Sequence, residues 1–370
     1  MESVPRRGGT GSRSCERVNL TGFADLQIDA AVGSGTGEPP NSIFMDILFI
    51  GGTKFVGRHA AEAALRHGHG VTLLHRGTAV SDPVEGVEEV LLDRESDLSP
   101  VASRTWDAVV DTCGYAPRVV RNSVEALMHA TGRYLFVSTI SVYEGDGKGG
   151  LSIPMKPKVE TEEITGETYG PLKFECEQVI REVLGDRAVI VRPGLVAGPY
   201  DPTNRFTYWV ERMASGDRVL VPALQSQPMQ LIDARDLGEF MISALEQGLS
   251  GDFDAAGEPS TFGQMIATCH SLNPSTEIVW ATEPELEAQD VKLWSDLPLT
   301  YSADADLDAL MRVPCNEALA HGLTRRSLLE TAKDTLEWAR RNRVENPPFG
   351  MSHDREREVL EAVVESGRHS

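Results

Sequence analysis

Short, continuous apolar runs recur along the first two-thirds of the chain, and segments of helical periodicity separate several of them. Residues 47–50 form such a run and suit a strand buried on both faces of a parallel sheet, and residues 71–75, 87–92, 106–111, 134–138 and 188–192 read as further strands. Phe55–Arg66 places Ala60, Ala61, Ala64 and Leu65 in a helical apolar pattern. Arg118–Ala130 reads as a helix with Pro117 at its first turn, and Tyr169–Leu184 as another that tolerates Pro171 only at its start. Strands alternating with such helices imply right-handed βαβ units, hence an α/β chain with a doubly wound parallel sheet and ligands across its carboxyl ends.

From Gly251 onward the pattern loosens. Thr261–Leu272 predicts a helix, Glu277–Ala281 a short strand, and Pro284–Leu297 an acidic helical or loop segment. Arg325–Arg341 is amphipathic, with Leu328, Leu329, Ala332, Leu336 and Ala339 on one stripe. Asn346–Gly350 breaks it before a charged last helix, His353–Glu365, that packs on the domain or on a second subunit. The expected organisation is a disordered extension over 1–44 and a dinucleotide-binding domain over 45–200, to which 228–248 return. A smaller α/β substrate domain takes 200–227 and 249–345, and a terminal helix and tail take 346–370.

Composition narrows the function. A formal charge of −21 argues against a general nucleic-acid or anionic-membrane binder. No apolar run approaches the ~18 residues of a membrane span. Cys15, Cys113, Cys176, Cys269 and Cys315 form no C-x-x-C pair and no metal-ligand spacing with histidine, which reads as reduced thiols of a cytoplasmic protein. Residues 1–44 are rich in Gly, Ser and Pro, and Asp25 and Asp29 interrupt the only candidate signal-peptide core.

Candidate chemistry begins at the first strand. Gly51, Gly52, Thr53, Lys54, Phe55, Val56 and Gly57 form a glycine turn between strand and helix, where free N–H groups accept a pyrophosphate. Gly51 makes the tight turn and Gly57 lets the helix pack closely, while Lys54 stands where the usual spacing has its middle glycine. The second strand ends in His75 and Arg76, not in the Asp or Glu that would bind a ribose 2′-OH. Arg76, with Lys54 on the same side, favours a 2′-phosphate and hence NADP over NAD. Asp93, at the third strand's end, lies where the adenine edge would pass, or else forms a turn ion pair with Arg94. Gly114 lets backbone approach the cofactor, and Pro193-Gly194 breaks the sixth strand near the nicotinamide end.

The fifth strand runs into Thr139-Ile-Ser-Val-Tyr143, which places hydroxyls, Ser141 among them, at the sheet's carboxyl edge. Tyr169 and Lys173, four apart, share one helical face. A phenol near pKa ~10 is a poor base at neutral pH, and a neighbouring ammonium favours its charged form. Such a phenol can exchange a proton while hydride moves to or from a nicotinamide, with Thr139 holding the substrate oxygen.

Gly51–Gly57, Thr139–Tyr143, Tyr169–Lys173 and Val191–Pro199 together resemble the extended short-chain dehydrogenases/reductases of the NAD-dependent epimerase/dehydratase type, over roughly residues 45–245. The G-G-T-K-F-V-G loop is similar to that of an atypical subgroup. The resemblance implies a Rossmann domain and a smaller substrate domain. It makes Tyr169 the acid/base, Thr139 the orienter, and Lys173 a residue that binds the nicotinamide ribose and lowers the tyrosine pKa. It turns the segment before Phe206 toward substrate, which makes Asn204 and Arg205 candidate contacts; the competing reading is a helix N-cap and a solvated arginine. Gln230 is a further candidate, whereas Asp233, Arg235 and Asp236 cap and pair locally, and Phe206, Tyr208 and Trp209 read as core. The implied activity is that of an NAD(P)-dependent reductase, dehydrogenase or epimerase of a small substrate, with a nucleotide sugar among the options and a homodimer as the usual assembly. Dehydration ranks lowest, because Ile140 follows Thr139 where a dehydratase would want an acidic pair. The alternative is a non-catalytic relative that senses dinucleotide or binds RNA. Metal-dependent hydrolysis finds no H-E-x-x-H motif or Cys/His cluster.

Overall fold

The computed structural model describes residues 44–78, 82–145, 151–152, 160–302, 305–342, 344 and 347–367. The expected N-terminal extension and much of the loop after Gly145 lie outside them. Seven strands make one all-parallel sheet: β1 (Asp46–Ile50), β2 (Gly70–His75), β3 (Glu88–Leu91), β4 (Trp106–Asp111), β5 (Thr131–Val137), β6 (Ala188–Pro193) and β7 (Gly251–Ala255). Their spatial order is β7-β6-β5-β4-β1-β2-β3. The order reverses beside β1, so a crevice opens between the carboxyl ends of β1 and β4.

The alternation of β1 explains the layering. Ile47 and Phe49 pack with Ala60, Ala61 and Ala64 of α1 (Phe55–Arg66) on one face. Leu48 and Ile50 pack on the other with Val120 and Val124 of α2 (Pro117–Leu127) and Ile180 of α3 (Tyr169–Leu184). Among the smaller elements are α4 (Arg205–Ala214), α5 (Ala234–Glu246), α6 (Phe262–His270), α7 (Leu328–Arg341) and α8 (His353–Gly367). The alanine-rich face of α1 brings α5 so close that a Cβ on Gly238 would meet the His59 carbonyl carbon at 2.8 Å. A separate core gathers Phe206, Trp209, Met213, Phe262 and Met265 with Val359 of α8, so the aromatic group after Arg205 is core, as read from sequence.

Two differences from the sequence reading have physical causes. The seventh strand, Gly-Asp-Phe-Asp-Ala, falls in the stretch given to the smaller domain. It is an edge strand whose only apolar side chains are Phe253 and Ala255, because Asp252 and Asp254 face arginine and tyrosine partners. Arg94 does not pair with Asp93. Its guanidinium turns inward and donates twice to Asp111, at 2.8 and 2.8 Å, while Asp93 stays exposed and accepts the Glu95 N–H.

Asp111 is fully buried and also accepts from Tyr134 Oη (2.8 Å) and the Cys113 N–H (3.1 Å). Burial alone would raise its pKa, but Arg94 and these donors hold it below the ordinary aspartate value. Its stabilising effect is therefore present above the unfolded-state pKa of ~4 and is lost as pH falls through the lower folded value. Asp111→Asn leaves Arg94 buried without its counter-charge, and urea denaturation should show a loss of about 3–5 kcal/mol at pH 7.

Candidate active site

The glycine turn needs its first two glycines. Gly51 and Gly52 adopt φ of +100° and +87°, which L side chains rarely tolerate. Lys54 is extended (φ −132°, ψ 147°), a conformation open to any residue, so the replaced middle glycine introduces no strain there. A Cβ on Gly57 would meet Gly52 N at 2.9 Å and Thr112 Oγ1 at 2.8 Å, which confirms its close-packing role. Helix α1 has no side-chain cap and no acidic residue in its first turn. Its positive end is thus left uncompensated beside Thr53, Phe55 and Val56.

At the end of β2, His75 is buried, and its Nδ1 accepts the Gly77 N–H at 3.1 Å. Its Nε2 has no hydrogen-bond partner and lies 3.5 Å from Glu89 Oε1. Arg76 is exposed. Gly114 is glycine for an internal reason, since a Cβ would strike Phe136 and Val120 at 2.7 Å.

Across the sheet edge, α3 begins at Tyr169 with Pro171 in its first turn. Gly170 explains how the helix reaches the end of β5: a Cβ there would collide with Ser141 O, so only glycine lets α3 press on the Thr139–Ser141 turn. The Thr139 hydroxyl lies close enough to the Tyr169 phenol to oppose the rise in its pKa. The Thr139 oxygen accepts the Ser141 N–H at 3.1 Å, and its hydroxyl lies 3.2 Å from Ser141 Oγ.

Lys173 is fully enclosed and donates to Val137 O (2.6 Å) and Gly114 O (2.9 Å), with its ammonium over the Phe136 ring at 4.4 Å. Burial pulls its pKa down to about 8, partly opposed by Cys176 and Asp111. Burial pushes the Tyr169 phenol up, and the groups that oppose this are Thr139 and the Arg205 guanidinium. The phenol thus stays above its ordinary value, and the Lys173 ammonium is held by the Gly114 and Val137 carbonyls.

One further turn along the same face lies Glu177, which the sequence reading did not single out. Its carboxylate is fully buried and accepts from Ser138 Oγ (2.5 Å), Arg192 Nε (2.9 Å), Arg192 Nη2 (2.6 Å) and Arg181 Nη2 (3.1 Å). Arg192 continues to Asp252 (2.8 Å) and to Tyr143 Oη (2.8 Å), which donates to Asp254. Burial pushes the Asp254 carboxyl up to about 6. The network fastens α3 to β5, β6 and β7. The i, i+4, i+8 spacing of Tyr169, Lys173 and Glu177 was the legible signal for it.

The smaller-domain side is mixed. Asn204 is the buried N-cap residue of α4 at φ +62°, with no side-chain cap bond. Arg205 donates to Thr203 Oγ1 (3.1 Å) and lies near the Trp294 and Phe349 rings, so it is not a fully solvated arginine. Gln230 is corrected: its amide bonds Gly257 O, Val313 O and the Val313 N–H, so it clamps two main-chain segments instead of reaching outward. Asp233 caps α5 and pairs with Arg235, and Asp236 pairs with Arg326, from a distant loop. Pro193 closes β6 against Ala255.

The model of the NAD dependent epimerase/dehydratase family matches residues 47–255, and the chain belongs to that family. The fold is similar to UDP-glucuronic acid 4-epimerase from Bacillus cereus in complex with NAD, at 16% identity and TM-score 0.59 over 81% of this chain and 98% of that one. It is also similar to the Thermus thermophilus UDP-glucose 4-epimerase complex with NAD, at 19% identity and TM-score 0.58 over 80% and 99%. In sequence, the chain is 25% identical over 264 residues to the chloroplast stem-loop binding protein of 41 kDa b of Arabidopsis thaliana, covering 65% of this chain and 67% of that protein. Among the described residues no helix is long and apolar enough to cross a membrane.

A buried ammonium with a depressed pKa costs stability below that pKa. Lys173→Met should keep the fold or raise its stability at pH 7 by up to about 3 kcal/mol while removing activity. Denaturant unfolding measured beside turnover checks both halves.

Proposed function

We propose that this chain is an NADP-preferring oxidoreductase or epimerase of a small hydroxylated or carbonyl substrate, a nucleotide sugar being one candidate, with Tyr169 as the acid/base. The observation that carries this reading is the start of α3, where Gly170 seats Tyr169 on the Thr139–Ser141 turn and the next turn buries Lys173 against Val137 O at the sheet edge. The residues fit a dinucleotide. The uncapped, acid-free start of α1 suits a diphosphate, and His75 offers a buried nitrogen without a hydrogen-bond partner beside exposed Arg76. Gly51–Gly57 would hold the pyrophosphate, Arg76 with Lys54 the 2′-phosphate, Asp93 the adenine edge, and Lys173, Gly114 and Pro193 the nicotinamide side.

When bound, the nicotinamide supplies or accepts hydride. Tyr169 Oη takes or returns the proton, Thr139 Oγ1 orients the substrate oxygen, and the Arg205 charge opposes the rise that burial imposes on the phenol. Ser141, Asn204 and Arg205 contribute polar groups on the substrate side. Ile140 beside Thr139 supplies no acid, which speaks against dehydration. A second reading, RNA binding, is favoured by the stem-loop-binding relative alone. The formal charge of −21 and the intact Thr–Tyr–Lys set weigh against it.

Fluorescence titration should show NADPH binding at sub-millimolar concentration, tighter than NADH. Binding of neither cofactor, alongside stem-loop RNA affinity that falls steeply with salt, would transfer the assignment to the second reading. Arg76→Ala should weaken NADPH about tenfold or more and leave NADH unchanged. In a substrate screen read by NADPH turnover, Tyr169→Phe should lose roughly 10²–10⁴-fold in rate with cofactor binding retained. Unaltered turnover would remove Tyr169 from the chemistry.

A further inference from the structure

At the far end of α1 from the glycine turn, about 18 Å along the helix, two imidazoles and a carboxylate converge. Gly68, at φ +85°, folds the chain between His67 and His69 and turns both rings toward Glu246, the last residue of α5. His67 Nδ1 lies 3.0 Å and His69 Nε2 3.1 Å from the same Glu246 Oε1. The three donor atoms lie within 4.8 Å of one another. Tetrahedral coordination with bonds of 2.0–2.2 Å sets ligand atoms about 3.3 Å apart, so small side-chain rotations admit an ion.

The surroundings match those of a metal-binding histidine. The other nitrogen of His67, Nε2, faces Glu239 Oε2 at 2.9 Å, and Arg66 Nη2 holds the second Glu239 oxygen at 2.6 Å. A carboxylate behind a ligating imidazole fixes its tautomer and raises its basicity. The His69 side chain is 1% exposed, while those of His67 and Glu246 are 31% and 30% exposed, so one wall is fixed and an entry path stays open.

We propose that His67 Nδ1, His69 Nε2 and a Glu246 carboxylate oxygen bind one divalent transition-metal ion of the zinc type, cross-linking α1 to α5. Two nitrogens and one oxygen select such an ion over Mg²⁺ or Ca²⁺, which prefer oxygen ligands. Waters complete the coordination. The site stands apart from the Tyr169 centre, and its role is to fasten the helix that carries the glycine turn.

The test is calorimetric titration of the metal-stripped, full-length protein with Zn²⁺, then with Mg²⁺. One saturable Zn²⁺ site is expected, with a higher Tm in its presence and no response to Mg²⁺. His67→Ala and Glu246→Gln alter half-exposed positions; each should weaken Zn²⁺ at least tenfold and abolish the Tm rise, with circular dichroism confirming the fold. His69→Ala should do the same but alters a buried ring. Absence of saturable binding would show an ion-pair cluster only and overturn the proposal. So would equal Zn²⁺ affinity in His67→Ala and Glu246→Gln, which would place the ion elsewhere.

Discussion

The buried ion pair between Glu177 and Arg192 is the constraint on which the site depends. A helix carrying a phenol and an ammonium is useful only if it lies at a fixed height over the sheet edge. Apolar packing fixes its distance but only weakly its slide and rotation. Glu177 accepts from side chains on β6, on the residue after β5 and on its own helix, so a shift of α3 along its axis would strand a fully buried carboxylate. Such pairs add little net stability, because the desolvation cost nearly cancels the attraction. Here the return is register.

A second polar node performs the matching task on the other side of the crevice. Asp111, at the carboxyl end of β4, collects Arg94, Tyr134 and the Cys113 N–H. It thereby shapes the loop whose Gly114 carbonyl receives the Lys173 ammonium. The two nodes meet in Lys173, which is enclosed between main-chain carbonyls and aromatic rings and held with a depressed pKa. The fold tolerates an expensive group there.

Family membership, the parallel sheet and the uncapped start of α1 agree with one another, and they concern mainly the dinucleotide side of the crevice. The side that carries Asn204, Arg205 and Gln230 is built from longer-range contacts. There Arg205 stands near aromatic rings of other segments, and the Gln230 amide is used entirely in joining two stretches of backbone.

What the chain alone determined is the part written in local pattern: six of the seven sheet strands and the helices that begin at Phe55 and Tyr169. Those signals survive because residues buried on both faces of the central strands must be largely apolar, and a helix start must accommodate Pro171 and the glycines. Tertiary structure decided the remainder. The strand Gly251–Ala255 was concealed by carboxylates that only distant arginines make tolerable. Arg94 looked like a turn residue until the fold presented Asp111 to it, and Gly170 looked incidental until Ser141 lay against it. In each case the deciding partner is remote in sequence, and burial and pairing are properties of the folded neighbourhood that no local pattern encodes.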